Sequence, residues 1–165
     1  MSTVVVTGAA GELGSRMLAL VADDPSVDRL VAVDHREIAA PLPRVEVVCA
    51  DLNTADLAAV FAGADVVVHL ASNTVPPADD TTGSDVHMAR RVRVGAAAAG
   101  VPHVVVRSSA TVYGARANNP VPLTEDAPLR PEQRFGWATE RADIERLVGE
   151  WLVDRAGSTA TLLRP

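Results

Sequence analysis

The chain is poor in aromatic residues. Of its 165 residues only 3% are Phe, Trp or Tyr, although 48% are hydrophobic. A core of that make-up is filled by small and β-branched side chains, which suits buried parallel strands covered by Ala-rich helices. Cysteine is nearly absent too. Cys49 stands alone, so no internal disulfide forms. It lies in the apolar run VEVVCA, and its expected place is a buried strand. Positive charge is outnumbered: 15 Lys plus Arg against 21 Asp plus Glu leave a formal net charge of −6. Such a chain is repelled by phosphate backbones, which argues against a nucleic-acid partner. No apolar run approaches the roughly 20 residues that span a bilayer, so no membrane partner is expected. The N-terminus enters a strand directly, without a basic segment or cleavage site, and the protein reads as cytoplasmic. His69 sits in a Val-rich strand and His103 at a strand start. Neither has a Cys, His or carboxylate at ligand spacing, so no metal site is expected.

What is present is an alternation of short Val-rich runs with longer helical patterns. Strands are expected at 3–8 (TVVVTG), 29–34 (RLVAVD), 44–51 (RVEVVCAD), 64–72 (ADVVVHLAS), 102–110 (PHVVVRSSA) and 159–165 (TATLLRP). Helices are expected at about 11–23, 54–63, 83–100 and 133–156, the second opening on Thr54 and closing on Gly63. Residues 73–82 and 114–132 are polar or Pro-rich and read as loops. This order predicts one α/β domain over 1–165, a doubly wound parallel sheet with helices on both faces.

The stretch TGAAGELG places Gly8, Gly11 and Gly14 between the first strand and the first helix. Gly8 permits the tight turn, Gly11 lets the backbone approach a pyrophosphate, and Gly14 lets the helix pack on the strand. The helix N-terminus supplies free N–H groups and a positive dipole end. Ala10, Glu12 and Leu13 complete this candidate phosphate loop. Asp34 ends the second strand. A carboxylate there accepts hydrogen bonds from ribose hydroxyls and repels a 2′-phosphate, which favours NAD over NADP. His35 and Arg36 follow, and an arginine at that place accommodates the same phosphate, so NADP stays open as the second choice. Asp51, before Leu52, either meets an adenine edge or caps its own turn.

At this point the sequence resembles the extended short-chain dehydrogenase/reductases, the NAD-dependent epimerases and dehydratases. The stretches TGAAGELG, VAVD, ADVVVHLAS and VVRSSATVYG carry the match. The resemblance implies a Rossmann fold with a bound dinucleotide, and Leu70, Ala71 and Ser72 along its middle and nicotinamide ribose. It implies that Ser109 is the serine that hydrogen-bonds the reacting oxygen, with Ser108 beside it and Tyr113 and Gly114 continuing the loop. It also implies a Tyr-x-x-x-Lys pair on the following helix, the tyrosine as proton donor and acceptor, the lysine lowering its pKa and holding the ribose.

That pair is missing from RFGWATERA. Either Phe135 and Thr139 occupy the two places, or Trp137 and Arg141 do. The second register is preferred because it puts Glu145 four residues after Arg141. An indole does not titrate usefully, and Arg141 keeps its charge while still able to donate to ribose hydroxyls. Tyr113 is the one tyrosine left. Relatives implied by the resemblance also continue past LLRP into a substrate lobe. Helices 83–100 and 133–156 resemble the family's dimer-forming pair, with the small residues Gly95 to Ala99 for close packing and Trp151 as an anchor. Arg90, Arg91 and Arg93 read as a solvated face. The expectation is an NAD-binding domain with impaired hydride transfer. The alternatives are an active oxidoreductase with relocated acid/base groups, and a cofactor-domain fragment or non-catalytic partner.

Overall fold

The computed structural model describes residues 2–38, 42, 44–73, 84–153 and 155–165. Six strands, β1 (Ser2–Thr7), β2 (Val27–Asp34), β3 (Val45–Cys49), β4 (Val66–His69), β5 (His103–Arg107) and β6 (Thr159–Leu163), make one sheet in the order β3-β2-β1-β4-β5-β6. Every pairing is parallel. The connecting helices are α1 (Glu12–Val21), α2 (Leu57–Val60), α3 (Asp85–Ala98) and α4 (Gly136–Val153). The strand order reverses at β1 and β4, so the crevice beyond their C-terminal ends is where such a sheet takes a ligand.

The valine runs explain the sheet. Because side chains alternate along a strand, each run feeds two cores. Val5, Val31, Val33, Val67, Val104 and Val106 face Phe61 and residues of α3 and α4. Val4, Val6, Leu30, Ala32 and Val68 face Leu18 of α1. The doubly wound architecture is the one the sequence predicts.

Several local expectations change. Cys49 is exposed, because β3 is an edge strand and not a buried one. The second helix shrinks to one turn, and its cap is Asp56, which accepts hydrogen bonds from the Ala58 and Ala59 N–H groups, not Thr54. Trp151 does not stand on the surface as an anchor; it points from α4 into the core that α3 and α4 share with the sheet. Gly95 likewise turns inward, where a Cβ would run into Leu57. Arg90 is exposed, as expected, but Arg91 is half-buried and donates to the Leu52 and Ala55 carbonyls at 2.7 and 2.6 Å. The loop expected at 73–82 lies outside the described residues after Asn73.

His69 ends β4 with its side chain inside the protein, 4% exposed, and its Nδ1 pairs with Thr7 Oγ1 at 2.8 Å. Burial first, and the nearby Arg141 charge second, push its pKa down to about 4 from 6.5. The folded state therefore keeps His69 neutral where the unfolded chain takes up a proton.

Two predictions follow from these packing facts. Phe61→Ala empties a fully buried position and is expected to cost ~3–5 kcal/mol, read as a lower urea midpoint at unchanged slope. The stability tied to His69 is complete above pH 6.5 and is lost as the pH falls toward about 4, by about 1.4 kcal/mol per pH unit. His69→Gln is expected to flatten that part of the stability-pH curve, measured by urea unfolding across the same window.

Candidate functional site: a cleft at the switch point

The site begins with backbone. Gly8 sits at φ +77°, and a Cβ on it would strike the Ala71 backbone. A Cβ on Gly14 would strike the Gly8 carbonyl. Both glycines are thus required by close approach, and together they press the start of α1 onto the ends of β1 and β4. The Gly8 N–H donates to Val33 at 2.9 Å and the Gly11 N–H to Gly8 at 3.0 Å. No side chain caps α1 at Gly11. The N–H groups of its first turn, with the positive end of the helix dipole, open on the crevice. Glu12, the one acidic residue of that turn, is engaged by Arg16 at 2.8 Å.

The crevice is a cleft of about 890 Å³, a size suited to a small-molecule ligand. Gly8, Gly11, Glu12, Leu13, Gly14 and Arg16 form its middle. Asp34, His35, Arg36, Asp51, Leu52 and Asn53 form one end. Leu70, Ala71, Ser72, Asn73, Met88, Arg107 and Pro165 form the other. The ends of β2 and β5 are three strand spacings apart, roughly 14 Å.

At the first end Asp34 is buried and ties the loop to the strand. It accepts from the Ala10 N–H at 3.0 Å, the Arg36 N–H at 3.0 Å and Arg36 Nε at 3.2 Å. Burial works to raise its pKa, but these hydrogen bonds and the Arg36 charge hold the carboxyl below its usual range. It is ionised at neutral pH. Ala10 serves through this bond and does not line the cleft. Asp51 lines the cleft and also caps its own turn, accepting from the Asn53 N–H at 2.8 Å.

At the other end lies a buried ion pair. Asp85, in the first turn of α3, accepts from Ser72 Oγ at 2.6 Å and from the Asn73 N–H at 2.7 Å. Its Oδ2 also takes the Arg141 guanidinium. Arg141 reaches the Arg107 carbonyl at 3.4 Å and stacks 5.4 Å from the Trp137 ring. Arg141 is only 2% exposed and does not line the cleft. The expected ribose donor is thus turned to Asp85, because a buried cation needs a counter-charge. Burial also pulls its pKa down to about 10. Trp137 is 40% exposed and lies outside the cleft lining.

A second network sits behind β5. Ser108 donates to Glu145, which holds Arg164 through both oxygens at 2.9 and 2.7 Å. Arg164 in turn reaches the Tyr113 hydroxyl and stacks on its ring. Ser109 Oγ accepts from the Thr111 N–H at 3.3 Å and so caps the short 3₁₀ turn Ala110–Tyr113. Neither Ser109 nor Tyr113 lines the cleft. No other lysine takes the missing one's place, since all 15 basic residues are arginines. Arg16, Asn73, Met88, Arg107 and Pro165 line the cleft without having been singled out in the sequence. Arg107 alone left a signal, a charge closing a valine strand. Among the described residues no cluster of three or more His, Cys, Asp or Glu is placed to hold a metal ion. None of the helices described is long and apolar enough to cross a membrane.

Comparison with known proteins agrees with this geometry. An uncharacterized protein of Mycobacterium tuberculosis is 30% identical over 172 residues, covering 98% of this chain and 46% of its own length. The L-arabinose 1-dehydrogenase (NAD(P)+) of Haloferax volcanii is 30% identical over 178 residues, covering 99% of this chain and 66% of its own. A short-chain dehydrogenase/reductase superfamily protein from Agrobacterium tumefaciens, solved with bound NAD, superposes with a TM-score of 0.80 at 29% identity, over 98% of this chain and 48% of its own. The chain spans about half the length of the mycobacterial relative and of the Agrobacterium structure. The profile of the NAD dependent epimerase/dehydratase family matches residues 4–165. The chain belongs to the NAD-dependent epimerase/dehydratase family.

Proposed function

We propose that this chain is a dinucleotide-binding domain that holds NAD in the cleft and carries out no hydride transfer by itself. The observation that carries the binding half is the uncapped start of α1, pressed by Gly8 and Gly14 onto the strand ends and facing a cleft with an ionised Asp34 at one end. These residues fit the group. Backbone N–H groups of Glu12, Leu13 and Gly14 suit a pyrophosphate, and Asp34 suits the hydroxyls of an adenosine ribose. NAD is also what the Agrobacterium relative holds. Bound there, the nicotinamide would supply a hydride acceptor.

The second half rests on what the chain's own groups are engaged in. Proton transfer needs a titratable group within hydrogen-bond reach of the reacting oxygen. Trp137 has none, Ser109 caps a turn and the Tyr113 hydroxyl is held by Arg164. Arg141 is spent on Asp85.

Titration calorimetry checks the binding half. NAD is expected to bind at least tenfold more tightly than NADP. Asp34→Asn is expected to weaken NAD by about tenfold, on the order of 1.4 kcal/mol, and to narrow the gap. Equal affinity for the two cofactors, or none for either, would remove this reading. For the second half, the chain mixed with NAD and simple aldoses is expected to give no NADH absorbance above the protein-free control. Steady NADH formation would contradict it.

A further inference from the structure

From the buried Asp85–Arg141 pair we infer a positioning device for the end of the cleft that receives the non-adenosine half of the dinucleotide, acting without touching the ligand. The inference rests on the reading of the cleft as a dinucleotide site. Four segments of the chain meet at this pair. Asp85 brings the start of α3, and its Oδ1 takes the Asn73 N–H while its Oδ2 takes Ser72 Oγ. Ser72 and Asn73 follow β4 directly and line the cleft. Arg141 brings α4, and it holds the carbonyl of Arg107, the last residue of β5. Arg107, at the end of the neighbouring strand β5, also lines the cleft. The sheet ladder already sets β4 beside β5; the ion pair ties the segment that follows β4 to the end of β5 and so fixes how Ser72 and Asn73 are held at this end of the cleft.

The pair is a poor device for stability alone. Taking both charges out of water offsets most of their attraction, and apolar side chains of similar volume usually do as well. It also leaves Arg141 Nε buried with no partner among the described residues. What it provides is direction. Oxygen lone pairs and a planar guanidinium fork fix angles as well as distances, which apolar packing does not. Asp85 is additionally favoured in the first turn of α3, where the helix dipole is positive. Trp137 lies over the guanidinium and shields it. Arg141 therefore does not act as a lysine substitute on a ribose. It acts through Asp85 on Ser72 and Asn73, and through a carbonyl on β5.

The test compares NAD with ADP, which lacks everything beyond the pyrophosphate. Asp85→Asn removes the charge and keeps the shape. Asp85→Asn combined with Arg141→Met removes the pair without leaving a lone buried charge. Both variants are expected to bind NAD at least tenfold more weakly than the wild type, with ADP affinity unchanged within twofold. Arg141→Lys, which keeps the charge beside Asp85 but not the planar fork, is expected to lose part of the NAD affinity, less than Asp85→Asn does. An equal loss of NAD and ADP in the variants means that the pair merely supports the fold, and it overturns the proposal. Unchanged NAD affinity overturns it as well, while leaving the dinucleotide reading intact. A wild-type chain that binds neither ligand overturns both. Amide hydrogen exchange on the wild type gives a check that needs no variant. The Asn73 N–H, donated to Asp85, is expected to be protected at least 100-fold, and exchange at the rate of an open loop contradicts the proposal.

Discussion

The rest of the structure depends on one close approach. Gly8 meets the backbone of Ala71, and Gly14 meets the carbonyl of Gly8, at separations that leave no room for a side chain. This contact brings the start of α1 over the sheet at the place where the strand order reverses. It leaves the first-turn N–H groups without a side-chain cap and facing the cleft. A larger residue at either position would lift the helix, and the cleft would lose both its floor and its positive end. The valine runs of β1 and β4 make the approach affordable, since they pack on both faces and hold the strand ends rigid.

Charges at the two ends of the cleft are used differently. Asp34 lies at the edge of the cleft, tied to Ala10 and Arg36, and it remains ionised. Both of its oxygens already accept from Ala10 and Arg36, so it stands at the cleft as a fixed negative charge. Asp85 and Arg141 are withdrawn from the cleft and satisfy one another. The Glu145–Arg164 pair does the same behind β5, engaging Ser108 and Tyr113 on the way. A site arranged like this can bind and orient. Ser108, Ser109 and Tyr113 meanwhile all take part in hydrogen bonds within the chain.

Much of this was legible in the sequence, and the parts that were not have a common cause. The β-α order and the glycine loop rest on local patterns, a period of two or 3.6 residues and three glycines between a strand and a helix. Asp34 was legible because it closes a strand at a fixed distance from that loop. Cys49 was misjudged because an apolar run does not say whether its strand is an edge. Gly95 and Trp151 suit a dimer surface and an internal core equally well until α2 and β4 are in place. Arg141 was located on the right helix, but its partner Asp85 lies 56 residues earlier. No short-range pattern connects them. Arg107 and Asn73 belong to the cleft only because parallel strands bring their ends side by side.

A crystal structure of the wild-type chain with NAD tests the central claim most directly. The account predicts the pyrophosphate over the first-turn N–H groups of α1, the adenosine ribose at Asp34, and Arg141 still paired with Asp85 away from the ligand. A dinucleotide bound elsewhere, or an Arg141 that leaves Asp85 to hold the nicotinamide ribose, would contradict it.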